Sequence, residues 1–182
     1  PARVDTGAGT LNLGGTVTYG LGNDPETAVL DGSVNLNGAT RTFAVNNSLA
    51  PGTDVDLDVP AAIAGGANQG IYKTGAGVLR LRGINTFDGA LTMGNNCGTL
   101  ILAHPQAAGA PSETRMFSAG SASSLVLDGG AGQLHAAIAV FQSIGMPPIP
   151  LLGLAKQQEQ LYLPGRNAPI ALPRDNPGLK ML

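Results

Sequence analysis

The sequence predicts an all-β fold: a parallel β-helix of about six coils, followed by a C-terminal cap with a short helix and an extended arm. Three observations carry this expectation. A ten-residue phrase recurs, "TGAGTLNLGG" at Thr6–Gly15 and "TGAGVLRLRG" at Thr74–Gly83, and fixed-period repeats mark stacked architectures. Short segments alternate apolar with polar residues, the pattern of a strand with one face in and one face out. The composition favours bends over long helices, with 27 Gly and 13 Pro in 182 residues.

In chain order, the x-L-x-L strands begin at Leu11, Val34, Val55, Leu79, Leu100 and Leu125, at intervals of 23, 21, 24, 21 and 25 residues. That period is too short for a βαβ unit but holds two or three short strands with their turns. Thr16–Tyr19, Arg41–Val45 and Ala90–Met93, which lie between, alternate as well. Stacking the coils pairs each strand in parallel with its counterpart about 4.8 Å away. Leu11, Leu79, Leu81, Leu100, Leu102 and Leu125 then point inward in columns. The outward residues of the six strands are Asn12, Asn35, Asp56, Arg80, Ile101 and Val126. The last two are aliphatic, so the following segment is expected to cover them. A β-sandwich with turns every 8–12 residues is the alternative; six strands of one pattern favour the β-helix.

Charged residues are 12% and aromatics 4%, with no Trp. The core must therefore be built from Leu, Val, Ile and Ala. The formal net charge of −2 argues against a nucleic-acid partner, which calls for a basic face. The single cysteine, Cys97, forbids an intrachain disulfide and a thiolate zinc cluster, and reads as a small apolar filler. No apolar run approaches the roughly 20 residues of a membrane span. The chain starts at Pro1 without a signal peptide, as expected of a processed form or a fragment.

The run Gly77, Leu79, Leu81, Gly83, Asn85, Thr86, Phe87, Gly89, followed by "GTLIL" at Gly98–Leu102, resembles the passenger-associated transport repeat of autotransporter proteins. Asn35–Asn47 and Ala64–Gly77 are similar to the coils that precede that repeat, and the resemblance covers roughly Gly7–Gly130. Phe87 stands where tyrosine is more usual, and the turn Gly94–Cys97 is about two residues longer. The resemblance implies a right-handed β-helix, secreted or displayed at the surface of a Gram-negative bacterium, serving as stalk, adhesin scaffold or matrix component.

Candidate chemistry is sparse. Asp54, Asp56 and Asp58 alternate along one strand, as a cation site or a polysaccharide-cleaving carboxylate cluster would require. The repeat register offers a plainer reading, with Asp56 aligned to Arg80 and Asp58 to Arg82 as bridging pairs between coils. His104 and His135 have no carboxylate or thiol at ligand spacing and read as turn or surface residues. The glycine-rich turns lack the Lys and Ser/Thr of a phosphate loop.

The repeat stops after Gly132, which divides the chain into a β-helix domain, 1–132, and a cap and arm, 133–182. Leu134, Ile138 and Phe141 fall on one helical stripe. Pro147, Pro148 and Pro150 force an extended run. The last stretch is apolar and proline-punctuated, either disordered or laid on another surface. As an arm it would bind a protein partner, or a second copy of the chain, through Leu161, Tyr162, Leu163, Ile170, Leu172, Leu179 and Met181. The expected function is a non-enzymatic structural or assembly protein outside the cell, without cofactor, metal or catalytic residue. A glycan-reading adhesin and a carbohydrate-active β-helix enzyme are the alternatives.

Overall fold

The computed structural model describes residues 2–20, 26–48, 53–110, 117–120, 123–128, 134–135, 138, 151–155, 160–166 and 168–171. The chain forms two compact units, Pro1–Ser123 and Ser124–Leu182.

The first unit is all β. One of its sheets carries β1 (Arg3–Asn12), β3 (Ala28–Asn35), β5 (Leu57–Val59), β8 (Val78–Leu81) and β10 (Gly98–Leu102), with β6 (Ala62–Ala64) also on β3. The other carries β2 (Val17–Tyr19), β4 (Arg41–Val45), β7 (Ile71–Thr74), β9 (Leu91–Met93) and β11 (Phe117–Ala119). The chain visits the two sheets in turn, and every strand pair within the unit is parallel. This is the pairing of a solenoid, in which the ladder partner of each strand lies one coil away in sequence.

Alternation sets the faces. Ala28, Leu57, Leu79 and Leu100 stand in register down one sheet, beside Val59, Leu81 and Leu102. Phe43, Lys73 and Met93 stand in register down the other, beside Ile71 and Leu91. Leu57, Leu79, Leu81, Leu100, Phe43, Ile71 and Leu91 are buried, as expected of inward columns, whereas Leu11 and Leu102 are only partly so. Large rings are scarce, and Phe43 and Phe87 are both fully buried.

The register differs from the sequence expectation at two places. Val34 pairs with Ile63, not Val55, and Leu57 takes the place expected of Val55, opposite Leu79. The cause is β3, whose first residues pair with β5 and whose last pair with β6. The recurring "TGAG" phrase therefore does not mark equivalent rungs. Leu11 stacks on Val34 and Ile63, and Leu79 on Leu57.

Turns use left-handed backbone where the stack leaves no room for a side chain. Gly98 has φ 62°, and a Cβ there would meet the Ala76 carbonyl. A Cβ at Gly83 would run into the Ala61 carbonyl of the neighbouring coil. Asn37, Asn68 and Asn96 hold positive φ at three exposed corners, a conformation asparagine tolerates better than most residues.

The second unit mixes strand directions. β12 (Ser123–Asp128) begins at its border and pairs in parallel with β13 (Leu151–Ala155). β14 (Gln160–Tyr162) runs antiparallel to β13, and β15 (Ile170–Ala171) antiparallel to β14. Leu134, His135 and Ile138, between the parallel pair, have helical backbone. The segment expected to be an extended arm is thus a hairpin where it is described. Its prolines Pro164 and Pro169 sit in the connection, outside the ladder. Ile101 and Val126, expected outward and covered, are both buried at 5% exposure. Phe141 and Ile149, expected in their cover, lie outside the described residues.

Leu79→Asp should destabilise the first unit by more than about 4 kcal/mol, because it buries a lone carboxylate. The half-exposed Leu11→Asp should cost markedly less. Urea unfolding followed by circular dichroism checks both.

Candidate functional site

Of the three alternating aspartates, only Asp58 sits in a strand, and the three do not share a face. Asp54 is exposed in the preceding bend, while Asp56 and Asp58 are buried. Asp58 stands opposite Arg80 in the ladder. It accepts from Arg80 Nε at 2.8 Å and from Arg82 Nε at 3.0 Å. Burial raises its carboxyl pKa, but the two guanidinium groups outweigh burial and hold it below the ordinary carboxylate range. One buried carboxylate thus serves two arginines.

Asp56 does not pair with Arg80, as the repeat alignment had suggested. The register lies two residues away from that alignment, and the Asp56 side chain turns into the structure. Its oxygens accept the backbone N–H groups of Ser48 and Val78, each at 2.7 Å. Both carboxylates are occupied with backbone or arginine donors, so neither is placed for acid–base work on a polysaccharide.

The sequence reading missed Lys73. It sits in an inward column between Phe43 and Met93 and is fully buried. Its ammonium donates to the carbonyls of Gly75 at 3.0 Å and Gly77 at 2.8 Å, and to the carbonyl of Cys97 in the next coil. Burial pushes its pKa down to about 8, and the proximity of Cys97 and Asp56 offsets only part of that. The signal was present in "IYKT", where Lys73 is in phase with the core residue Ile71. Asn85 was quoted as part of a motif but given no role. Buried, it accepts from Ile63 N–H at 2.9 Å and donates to the Ala107 carbonyl at 2.6 Å.

Cys97 is buried and unbridged, as a filler should be. His104 Nδ1 accepts the Gln106 N–H at 3.0 Å within a turn, and His135 is exposed. Among the described residues, no group of three or more His, Cys, Asp or Glu could hold a metal ion. Of the expected partner-binding set, Leu161 and Tyr162 lie in β14, Ile170 in β15 and Leu163 just after β14, all half-buried. Leu172, Leu179 and Met181 lie outside the described residues.

In the second unit the parallel pair β12–β13 matters most. Parallel strands need a crossover between them, and the helical residues Leu134, His135 and Ile138 lie in that crossover. Asp128 ends β12, in register with Leu154. In open sheets of this kind, ligands bind beyond the carboxyl ends of the strands.

The family model that matches describes a nuclease: the UvrC RNAse H endonuclease domain, over residues 114–182. Relatives of that class are individual UvrABC system protein C chains. The one from Methanosphaera stadtmanae is 47% identical over 58 residues, 32% of this chain and 10% of that protein. The one from Gemmatimonas aurantiaca is 49% identical over 57 residues, 31% of this chain and 9% of that protein. The one from Gloeobacter violaceus is 43% identical over 58 residues, 32% of this chain and 9% of that protein. The chain spans about a tenth of the length of these curated relatives. No solved structure matches.

These matches overturn the autotransporter resemblance, and with it the non-enzymatic, structural and surface-displayed readings. The exclusion of nucleic acid and the extracellular placement fall as well, since the matching family is named for an endonuclease. The charge argument failed because it averaged the chain. Residues 114–182 carry Arg115, Lys156, Arg166, Arg174 and Lys180 against Asp128, Glu159 and Asp175, a net charge of +2. The acidic excess lies entirely in the residues before them. The autotransporter motif describes how a coil turns, so it carries no information about the block that follows.

Lys73 gives a pH test of the core. Its folded pKa is depressed, so the protonated form opposes folding below about 8, and stability should rise as pH climbs from there toward the unfolded value. The expected gain is roughly 2–3 kcal/mol at the upper end of that window. Urea unfolding at pH 7 and pH 9.5 should show part of this rise, and Lys73→Met should lack it.

Proposed function

We propose that the Ser124–Leu182 unit works as a nuclease module of the UvrC kind, acting on DNA inside the cell. The observation that carries this reading is the endonuclease-domain match over residues 114–182. The basic balance of the same residues supports it, because neutralising phosphates supplies most of the sequence-independent affinity for DNA. So does the order of elements, a strand ending in a carboxylate, a helical crossover and a parallel strand.

Phosphodiester hydrolysis needs a water molecule deprotonated as it attacks phosphorus, with the leaving oxygen in line. Asp128 is the residue we assign to the proton-accepting role. It is the one acidic residue of this unit within a described strand, and it lies at the carboxyl end where the fold class places ligands. The described residues do not assemble a metal centre, so no step is derived through one. With a tenth of the relatives' length in hand, a complete site draws on more chain than this unit.

For the first unit we propose the finer form of the expected fold, a right-handed β-helix of about six coils. The parallel ladders and the near-universal right-handedness of parallel crossovers support it. The division of the chain at Gly132 is likewise a proposal, which limited proteolysis would locate.

The function is tested by DNA binding and nicking. The full chain should bind duplex DNA with an affinity that falls steeply with salt, while Pro1–Ser123 alone should bind at least about tenfold more weakly. Asp128→Asn should leave binding intact and lower nicking of supercoiled plasmid by about 100-fold or more. Equal binding by the two forms would sink the proposal. Undiminished nicking by Asp128→Asn would remove that residue from it.

A further inference from the structure

At one end of the first unit, a rung is left open. β1 is the terminal strand of its sheet and β2 the terminal strand of the facing sheet. Each offers an outer row of backbone N–H and C=O groups that no strand among the described residues takes up. A cavity of about 500 Å³ opens between them, lined by Leu11, Leu13, Val17, Tyr19, Leu30 and Leu57. Val4, also in the lining, is 52% exposed. An unpaired edge beside an apolar hollow is a template for another strand.

We propose that this end is a strand-addition site for an extended peptide in which aliphatic and basic residues alternate. The unit itself shows what such a strand must supply. Each inner rung is covered by a strand that continues the apolar columns, Leu57 by Leu79 and Leu79 by Leu100. Main-chain ladder bonds then provide affinity, and alternate side chains filling the hollow provide specificity.

Charge selects the basic residue. Asp5 and Asp31 stand in register, and Arg3 bridges them at 3.0 and 2.7 Å. One arginine against two carboxylates leaves one negative charge at the rim. Deeper in the same sheet, a carboxylate is met by an arginine in register on the next strand, Asp58 by Arg80 at 2.8 Å. A basic residue opposite Asp5 would repeat that pairing. This inference rests on the first unit and stands apart from the nuclease reading of the second.

The test uses the chain's own rung as a probe. A labelled peptide of sequence GVLRLRG, that of Gly77–Gly83, is titrated into the full chain and followed by fluorescence anisotropy. Amide hydrogen exchange in β1 is measured alongside. Saturable binding at roughly micromolar to 100 μM is expected, with slowed exchange confined to β1 and β2. The same peptide carrying Arg80→Glu and Arg82→Glu should bind about tenfold more weakly or worse. Val4→Asp should abolish binding while circular dichroism stays unchanged. Should that variant unfold, Val4→Ser and the comparison of the two peptides on the unaltered chain decide. No binding up to about 1 mM, or equal affinity for the two peptides, overturns the proposal. So does β1 protection that grows with protein concentration in the absence of peptide, which would make this end a contact between copies.

Discussion

The parallel backbone ladder is the constraint on which the first unit depends. A parallel pair cannot be closed by a tight hairpin, so each strand must find its partner a full coil away. That distance costs loop entropy at every rung. The cost is met only if each coil buries apolar surface on both neighbours. The inward columns Ala28–Leu57–Leu79–Leu100 and Phe43–Lys73–Met93 do this. They also fix the register, since a one-residue slip would turn leucines outward and arginines inward.

A ladder of this kind leaves polar groups stranded where the chain changes sheets, because the corner carbonyls and amides have no strand partner. Buried side chains supply the missing half. Asp56 takes two amides, Lys73 gives to three carbonyls, and Asn85 does one of each. Their burial is therefore a consequence of the turns. It also explains why ionisable groups lie in the core without forming a catalytic cluster. In the second unit the constraint differs: one parallel pair is followed by an antiparallel hairpin, and no repeat fixes its period.

The sequence made the all-β, parallel character legible because period-2 alternation reports backbone geometry directly. The inward leucines at 79, 81 and 100 follow from the same signal. Register was less legible. Val55 and Leu57 are both apolar and two residues apart, so alternation alone cannot say which faces Leu79. Asp56 and Lys73 were hidden because a charged residue ordinarily signals an exposed face, and only their phase beside Leu57 and Ile71 places them inside. The candidate nuclease unit was least legible, because whole-chain charge hid a basic block. The proline-rich end also lacks any periodicity that would distinguish a hairpin from an arm.

The two bonds of Asn85 have a mechanical consequence. Its carbonyl oxygen is held from the Ile63 side and its amide reaches toward Ala107, so a single side chain straddles three successive coils. A solenoid pulled at its ends would otherwise peel rung by rung, each rung yielding at its own small force. Here the middle coil cannot detach from one neighbour without dragging on the other. The side chain acts as a rivet through the stack, so rupture at this point should come as one larger event rather than a series of small ones.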